Sequence, residues 1–186
     1  MFRFTLLIAA LSLVAFAGPP ASADYANEAE RAARQGAAVL KPYKKALQTA
    51  LMEGLADSPL SAVEHCRLEA PALAESYSTK NLRLGRSSHR LRNPANAAPE
   101  WLEAVIDRYL GNPSARAPLT AELEHGVRGY VEPIVMQPLC LACHGPALPP
   151  ELEAEIDEHY PDDRATGFEA GDLRGVFWVE FTPAQR

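Results

Sequence analysis

Cys140-Leu141-Ala142-Cys143-His144 sets two thiols three positions apart with an imidazole beside the second, and whatever this chain folds into must be built around that run. In one tight turn the two cysteines can each add across a vinyl group of a porphyrin, and the next residue then brings a ring nitrogen under the iron. The spacing predicts haem attachment at Cys140 and Cys143, with His144 as an iron ligand and one covalent haem c as the cofactor. Three other chemistries use the same residues. A thioredoxin-like dithiol expects its C-x-x-C at a helix start within a βαβ pattern, whereas this one follows Pro138 and precedes Gly145-Pro146. A zinc site could recruit Cys66 as a fourth ligand, but structural zinc sites pair two close-spaced ligand couples and Cys66 stands alone. A Cys140–Cys143 disulfide would describe protein made without haem.

The beginning of the chain predicts export. Arg3, an apolar run from Phe4 to Phe16, a Gly18-Pro19-Pro20 break and Ala21-Ser22-Ala23 have the order of a cleaved secretory signal. Residues 1–23 are read as that signal and 24–186 as one domain in the periplasm. The apolar run is shorter than the roughly 20 residues of a spanning helix, and no membrane span is expected after cleavage. Eighteen Lys and Arg against 24 Asp and Glu give no basic field for phosphates, so nucleic acid is not an expected partner. Three cysteines in an exported chain cannot all be used by simple disulfides.

Along the mature chain, Ala29, Ala33, Ala37, Leu40, Leu47 and Leu51 recur near the helical period and predict one long helix over 27–55, bent at Pro42. Gly54 and Asp57-Ser58-Pro59 end it and start a second helix, which runs to about Tyr77, with Ser61 and Glu64 spaced as a capping box and a bend or break expected at Pro71. Its apolar stripe of Val63, Cys66, Ala70 and Leu73 turns Cys66 inward. The stretch 84–99 reads as a loop, 99–110 as a helix, 126–135 as a strand that Pro133 demotes towards an edge or a strand end, 150–160 as a short acidic helix and 173–182 as the strongest strand. Helices early and strands late predict an α+β fold.

Several stretches together are more specific than the haem motif alone. Glu64-His65-Cys66 and Glu69-Ala70-Pro71, Gly85-Arg86-Ser87-Ser88, Arg92-Asn93-Pro94-Ala95-Asn96, Leu139 to Gly145, Tyr160-Pro161, Ala165-Thr166-Gly167-Phe168 and Gly171-Asp172-Leu173-Arg174-Gly175 follow one another in order. The set resembles a c-type haem family with a PAS-like fold, long described only as a domain of unknown function, and covers about Ala62 to Glu180. The resemblance implies an antiparallel sheet flanked by helices, one covalent haem, and Cys66 as the second axial ligand opposite His144. His89 departs from it, since an apolar or basic side chain is expected there.

Read from the residues alone, an inward unpaired thiol such as Cys66 either packs as a small hydrophobe or meets a metal. Met136, His65, His89, His125 and His159 are the other residues that could hold the sixth position. Methionine ligation would raise the potential and thiolate ligation would lower it. Arg86, Arg90 and Arg92 can pair with haem propionates, Arg86 and Arg92 foremost because the resemblance includes them. Trp178, Phe177 and Tyr130 could line the pocket. The expected function is electron transfer or redox sensing with a separate, unidentified redox partner, and no enzymatic turnover. A gas sensor that admits NO or CO when Cys66 leaves is the alternative from another class, and a haem peroxidase is a third.

Overall fold

The computed structural model describes residues 21–183. The secretory segment expected over 1–23 lies outside them apart from Ala21–Ala23, where the first helix starts. No helix among the described residues is long and apolar enough to cross a membrane.

The Ala- and Leu-rich stretch forms helix α1, Ala21–Asp57, which runs through Pro42. Pro42 is exposed. Ala32, Leu40, Tyr43 and Ala50 recur at three- to eight-residue intervals and are buried, which is the stripe a surface helix turns to its core. Helix α2, Pro59–Ser76, begins three residues before the expected capping box. Ser58 is the N-cap, its hydroxyl accepting from Ser61 N at 3.0 Å, with Pro59 in the first turn where its missing N–H costs nothing. Glu64 pairs instead with Arg67. Of the bend or break expected at Pro71, no break occurs, and α2 continues to Ser76.

The expected loop over 84–99 begins as a strand, β1, Leu82–Ser87. Helix α3, Glu100–Gly111, buries Leu102, Ile106 and Tyr109. A short strand not read from the sequence, β2, Leu119–Glu122, precedes β3, Arg128–Val135. After the Cys-x-x-Cys-His run come α5, Pro150–His159, and β4, Leu173–Phe181, with α4, Leu141–His144, inside the run itself. The four strands form one antiparallel sheet in the order β1-β4-β3-β2. The fold is α+β, an antiparallel sheet flanked by helices, as expected.

Strand β3 is an inner strand, between β4 and β2, but Pro133 lies where β2 no longer covers it, so its free side is locally an edge. The proline is tolerated because β2 pairs only as far as Leu119↔Val131, so Pro133 lies past the end of that partner.

Each face of the sheet has its own core. Leu102, Ile106 and Tyr109 of α3 pack with Val131, Val176 and Trp178 on one side. Leu40 and Tyr43 of α1 pack with Leu84, Tyr130, Val179 and Phe181 on the other. Helix α1 comes down onto β3 at Gly36, where a Cβ would stand 2.3 Å from the Tyr130 ring. Only glycine permits that approach.

Strand β4 is interrupted at its start. Gly175 faces Ile134 and Leu173 faces Val135, which leaves Arg174 as an extra residue opposite neither. This bulge resets the alternation of the strand. Leu173 thereby joins the α3-side cluster with Val176 and Trp178, although it is an odd number of positions from both of them. A Cβ at Gly175 would lie 2.3 Å from Ser87 O, and Ser88 Oγ donates to Arg174 O at 2.6 Å, so β1 clasps the bulge.

Candidate haem site at the Cys-x-x-Cys-His turn

Pro138–Cys140 forms a 3-10 turn that leads into the single helical turn α4, so the motif lies on consecutive helical turns and not in an open loop. Cys140 N donates to Gln137 O at 2.9 Å and Gly145 N to Leu141 O at 2.9 Å, closing the two ends. The thiols face different neighbours. Cys143 packs against the cluster of Val63, Leu152 and Ile156, and Cys140 against that of Met136, Ala165 and Phe168. Cys66, Cys140 and Cys143 are all free thiols and all half-buried.

His144 is fixed from the loop before β4. Its Nδ1 lies 2.6 Å from Ala165 O, and Phe168 N donates to its carbonyl at 2.9 Å. A backbone carbonyl can only accept, so Nδ1 carries the proton and Nε2 keeps its lone pair for a metal. Burial drives the imidazole pKa down to about 2, with Arg174, Arg92 and Arg86 pushing the same way and the Ala165 bond opposing them. The ring is therefore neutral, as a ligand must be.

The loop carrying Ala165 is itself anchored. Asp163 Oδ1 accepts from Ala165 N at 2.8 Å, and Asp163 Oδ2 accepts from Arg92 Nη2 at 3.1 Å. Arg92 Nη2 also donates to Cys143 O at 2.7 Å. One buried ion pair thus ties the loop of Arg92, the second motif cysteine and the carbonyl that orients His144.

The structure brings Cys66, Cys143, His144, Arg86 and Arg92 into one neighbourhood. Burial pushes the Cys66 thiol up, Arg86 and Arg92 oppose it, and Cys143 adds to it. Burial pushes Cys143 up as well, and Arg92 opposes. Arg86, on β1 opposite Phe177, lies beside the Tyr43 hydroxyl. Among the described residues no three His, Cys, Asp or Glu side chains converge to hold a metal ion. The four-ligand zinc set of Cys66, Cys140, Cys143 and His144 is therefore not assembled. A porphyrin iron asks only for the axial pair, since the macrocycle supplies four nitrogens. Two thiols on one turn, a neutral imidazole beside them, a further thiol and an excess of guanidinium over carboxylate all fit that group.

Of the other residues considered for the sixth position, Met136 and His89 border the motif, and His65, His125 and His159 face carboxylates. Met136 is buried with Ala165 and Phe168 on the Cys140 side. His65 faces Glu53 at 3.7 Å, His125 is exposed, and His159 lies between Glu155 at 3.0 Å and Glu64 at 3.5 Å. His89 sits edge-on to Phe168, which is in turn edge-on to His144, and its buried Nδ1 has no hydrogen-bond partner. Trp178 belongs to the α3-side core, where its Nε1 donates to Ser87 Oγ at 3.0 Å. Tyr130 belongs to the α1-side core, and Phe177 packs against it.

Asp163, Ala165 and Arg174 were not singled out by the sequence. Ala165 and Arg174 stand in two of the stretches that carried the family resemblance, which was the available signal. Nothing in the sequence pointed to Asp163.

No curated protein matches the chain. A solved structure, described as the crystal structure of the cyanobacterial heme-protein Tll0287, is similar at 27% identity and a TM-score of 0.52, covering 65% of this chain and 71% of that one. The model of the Tll0287-like family matches residues 21–182, which takes in every side chain of the candidate site, and the chain belongs to that family.

Proposed function

We propose that this chain is an exported, periplasmic haem protein that carries one haem c, transfers electrons or reports redox state, and works with a separate redox partner. The observation that carries the reading is the geometry at His144. Its Nδ1 is committed to Ala165 O at 2.6 Å, next to two free thiols on consecutive helical turns. The similarity to a cyanobacterial heme-protein within the same family supports it.

When bound, the haem supplies a one-electron ferric/ferrous couple. Cys140 and Cys143 would hold it through thioethers, and His144 and Cys66 would supply a ring nitrogen and a thiol to its iron. The protein's own part is positional. Ala165 O fixes the tautomer and tilt of His144, Asp163 fixes the loop that carries Ala165, and Arg92 fixes the motif turn. Arg86 contributes positive charge at the site. No group in the reading takes part in substrate turnover.

The test is production in a host competent for cytochrome maturation, beside the Cys140→Ala/Cys143→Ala variant. The expected product has a mass increased by one haem and a Soret band, and the double variant has neither covalent mass nor thioether haem. Unmodified protein with the mass of its amino acids alone and no Soret band would sink the reading.

A further inference from the structure

Four guanidinium groups meet near His144 with too little negative charge to balance them. Arg86, Arg90 and Arg92 all lie close enough to act on Arg174, as does the carboxylate of Asp163. Asp163 is already paired with Arg92. Among the described residues no carboxylate lies within salt-bridge distance of Arg86, Arg90 or Arg174.

The four are not equally committed. Arg92 is held by Asp163 and by Cys143 O. Arg90 donates from Nε to Arg164 O at 2.9 Å and lies over the Phe168 ring, 4.1 Å from its centre. Arg174 makes one side-chain bond, Nη1 to Arg90 O at 3.2 Å, and its Cζ is 5.5 Å from the Phe168 centre. Arg86 lies beside the Tyr43 hydroxyl. Two guanidiniums are thus anchored on the protein, and two keep donors free.

The bulge explains how Arg174 comes to be there. In an unbroken strand it would share the face of Val176 and Trp178 and point into the α3-side core, where a cation without a partner would be expensive. The extra residue takes it out of that alternation, and Ser88 and Gly175 hold it so. Burial lowers its pKa to about 10, with Arg92 and Arg86 adding to the effect. The site is poised to receive an anion, and guanidinium matches carboxylate in a two-pronged fashion.

We propose that Arg174, aimed by the β4 bulge, is the principal contact for the haem propionates and that Arg86 is the second, while Arg90 and Arg92 serve as scaffold. This rests on the haem reading above and assigns the pair of carboxylates to particular residues. A cation fixed beside the haem favours the ferrous state, so Arg174 raises the potential, and it keeps the facing propionate ionised.

The experiment is potentiometric titration of the haem-loaded protein across the neutral pH range, for the unmodified chain, Arg174→Gln, Arg174→Lys and Arg86→Gln. The Gln variants are expected to shift the ferric/ferrous equilibrium roughly tenfold toward ferric, about 59 mV lower for one electron. They are also expected to acquire a fall of potential with rising pH as a propionate titrates. Arg174→Lys keeps the charge and stays near the unmodified value. Should Arg174→Gln fail to accumulate with haem, Arg86→Gln decides: a lowered potential supports the assignment and an unchanged one overturns it. Haem in place with unchanged potential and pH profile in both Gln variants overturns this inference alone, whereas an unmodified chain without haem overturns both readings.

Discussion

Arg92 donates from Nη2 to the carbonyl oxygen of Cys143 at 2.7 Å, and the same nitrogen reaches Asp163 Oδ2 at 3.1 Å. A residue 51 positions before the second motif cysteine therefore holds the turn on which that cysteine sits.

Asp163→Asn should show what this clamp is worth. Both side chains are largely out of water, at 14% and 5% exposure. Removing one charge of such a pair strands the other, which costs about 3–5 kcal/mol. The expected outcome is a fall of that order in urea-unfolding stability and a lower yield of haem-loaded protein. Stability within about 0.5 kcal/mol of the unmodified chain would show that the clamp contributes little.

Cys66→Ser tests the axial assignment. The variant should still gain the mass of one haem, because neither attachment thiol is touched, but its ferric absorption spectrum should lose the signature of thiolate ligation. An unchanged low-spin spectrum removes Cys66 as a ligand. Addition of CO to the ferrous unmodified protein separates the functional classes: a spectrum that does not respond fits electron transfer, and a bound CO complex favours gas sensing.

Gly36→Ala should destabilise the sheet's helical cover although alanine is the better helix former by about 1 kcal/mol. The new Cβ would stand 2.3 Å from the Tyr130 ring, so the ring or the helix must move. Overpacking of this kind costs about 1–3 kcal/mol. The expected result is a net loss in the urea midpoint, and a gain would mean that α1 is free to rise off β3.

Tyr109 gives the fold an alkaline limit. It is fully buried, its hydroxyl donates to Ala117 O at 2.6 Å, and burial raises its pKa to about 12. The folded state prefers the neutral phenol. This contribution is whole below about pH 10, the ordinary phenol value, and disappears as the pH climbs through about 12. Two pH units correspond to about 2–3 kcal/mol. Denaturation measured at stepped alkaline pH should show the decline, and Tyr109→Phe should flatten that part of it. An equally steep decline in the variant would assign the effect elsewhere.

Much of this molecule was legible from local patterns. The Cys-x-x-Cys-His run marked the site because the chemistry of two thioethers and one ligand fits within a single turn. Helix α1 and strands β3 and β4 were legible because their apolar residues recur at the period of the element that buries them. Strand β1 was read as a loop from Leu84 on because Gly85, Arg86 and Ser87 have weak strand preference, and pairing with β4 decides their conformation. The continuation of α2 past Pro71 was likewise not contained in local propensity.

By itself the sequence determined which atoms can do chemistry and which segments are amphipathic, since both follow from residue type and spacing along the chain. Only the tertiary structure decided that Asp163 orients His144 through Ala165, and that one inserted residue in β4 turns Arg174 toward the motif. These relationships join residues far apart in the chain, through hydrogen bonds and charge that act over a few ångströms of space and leave no periodic trace in the sequence.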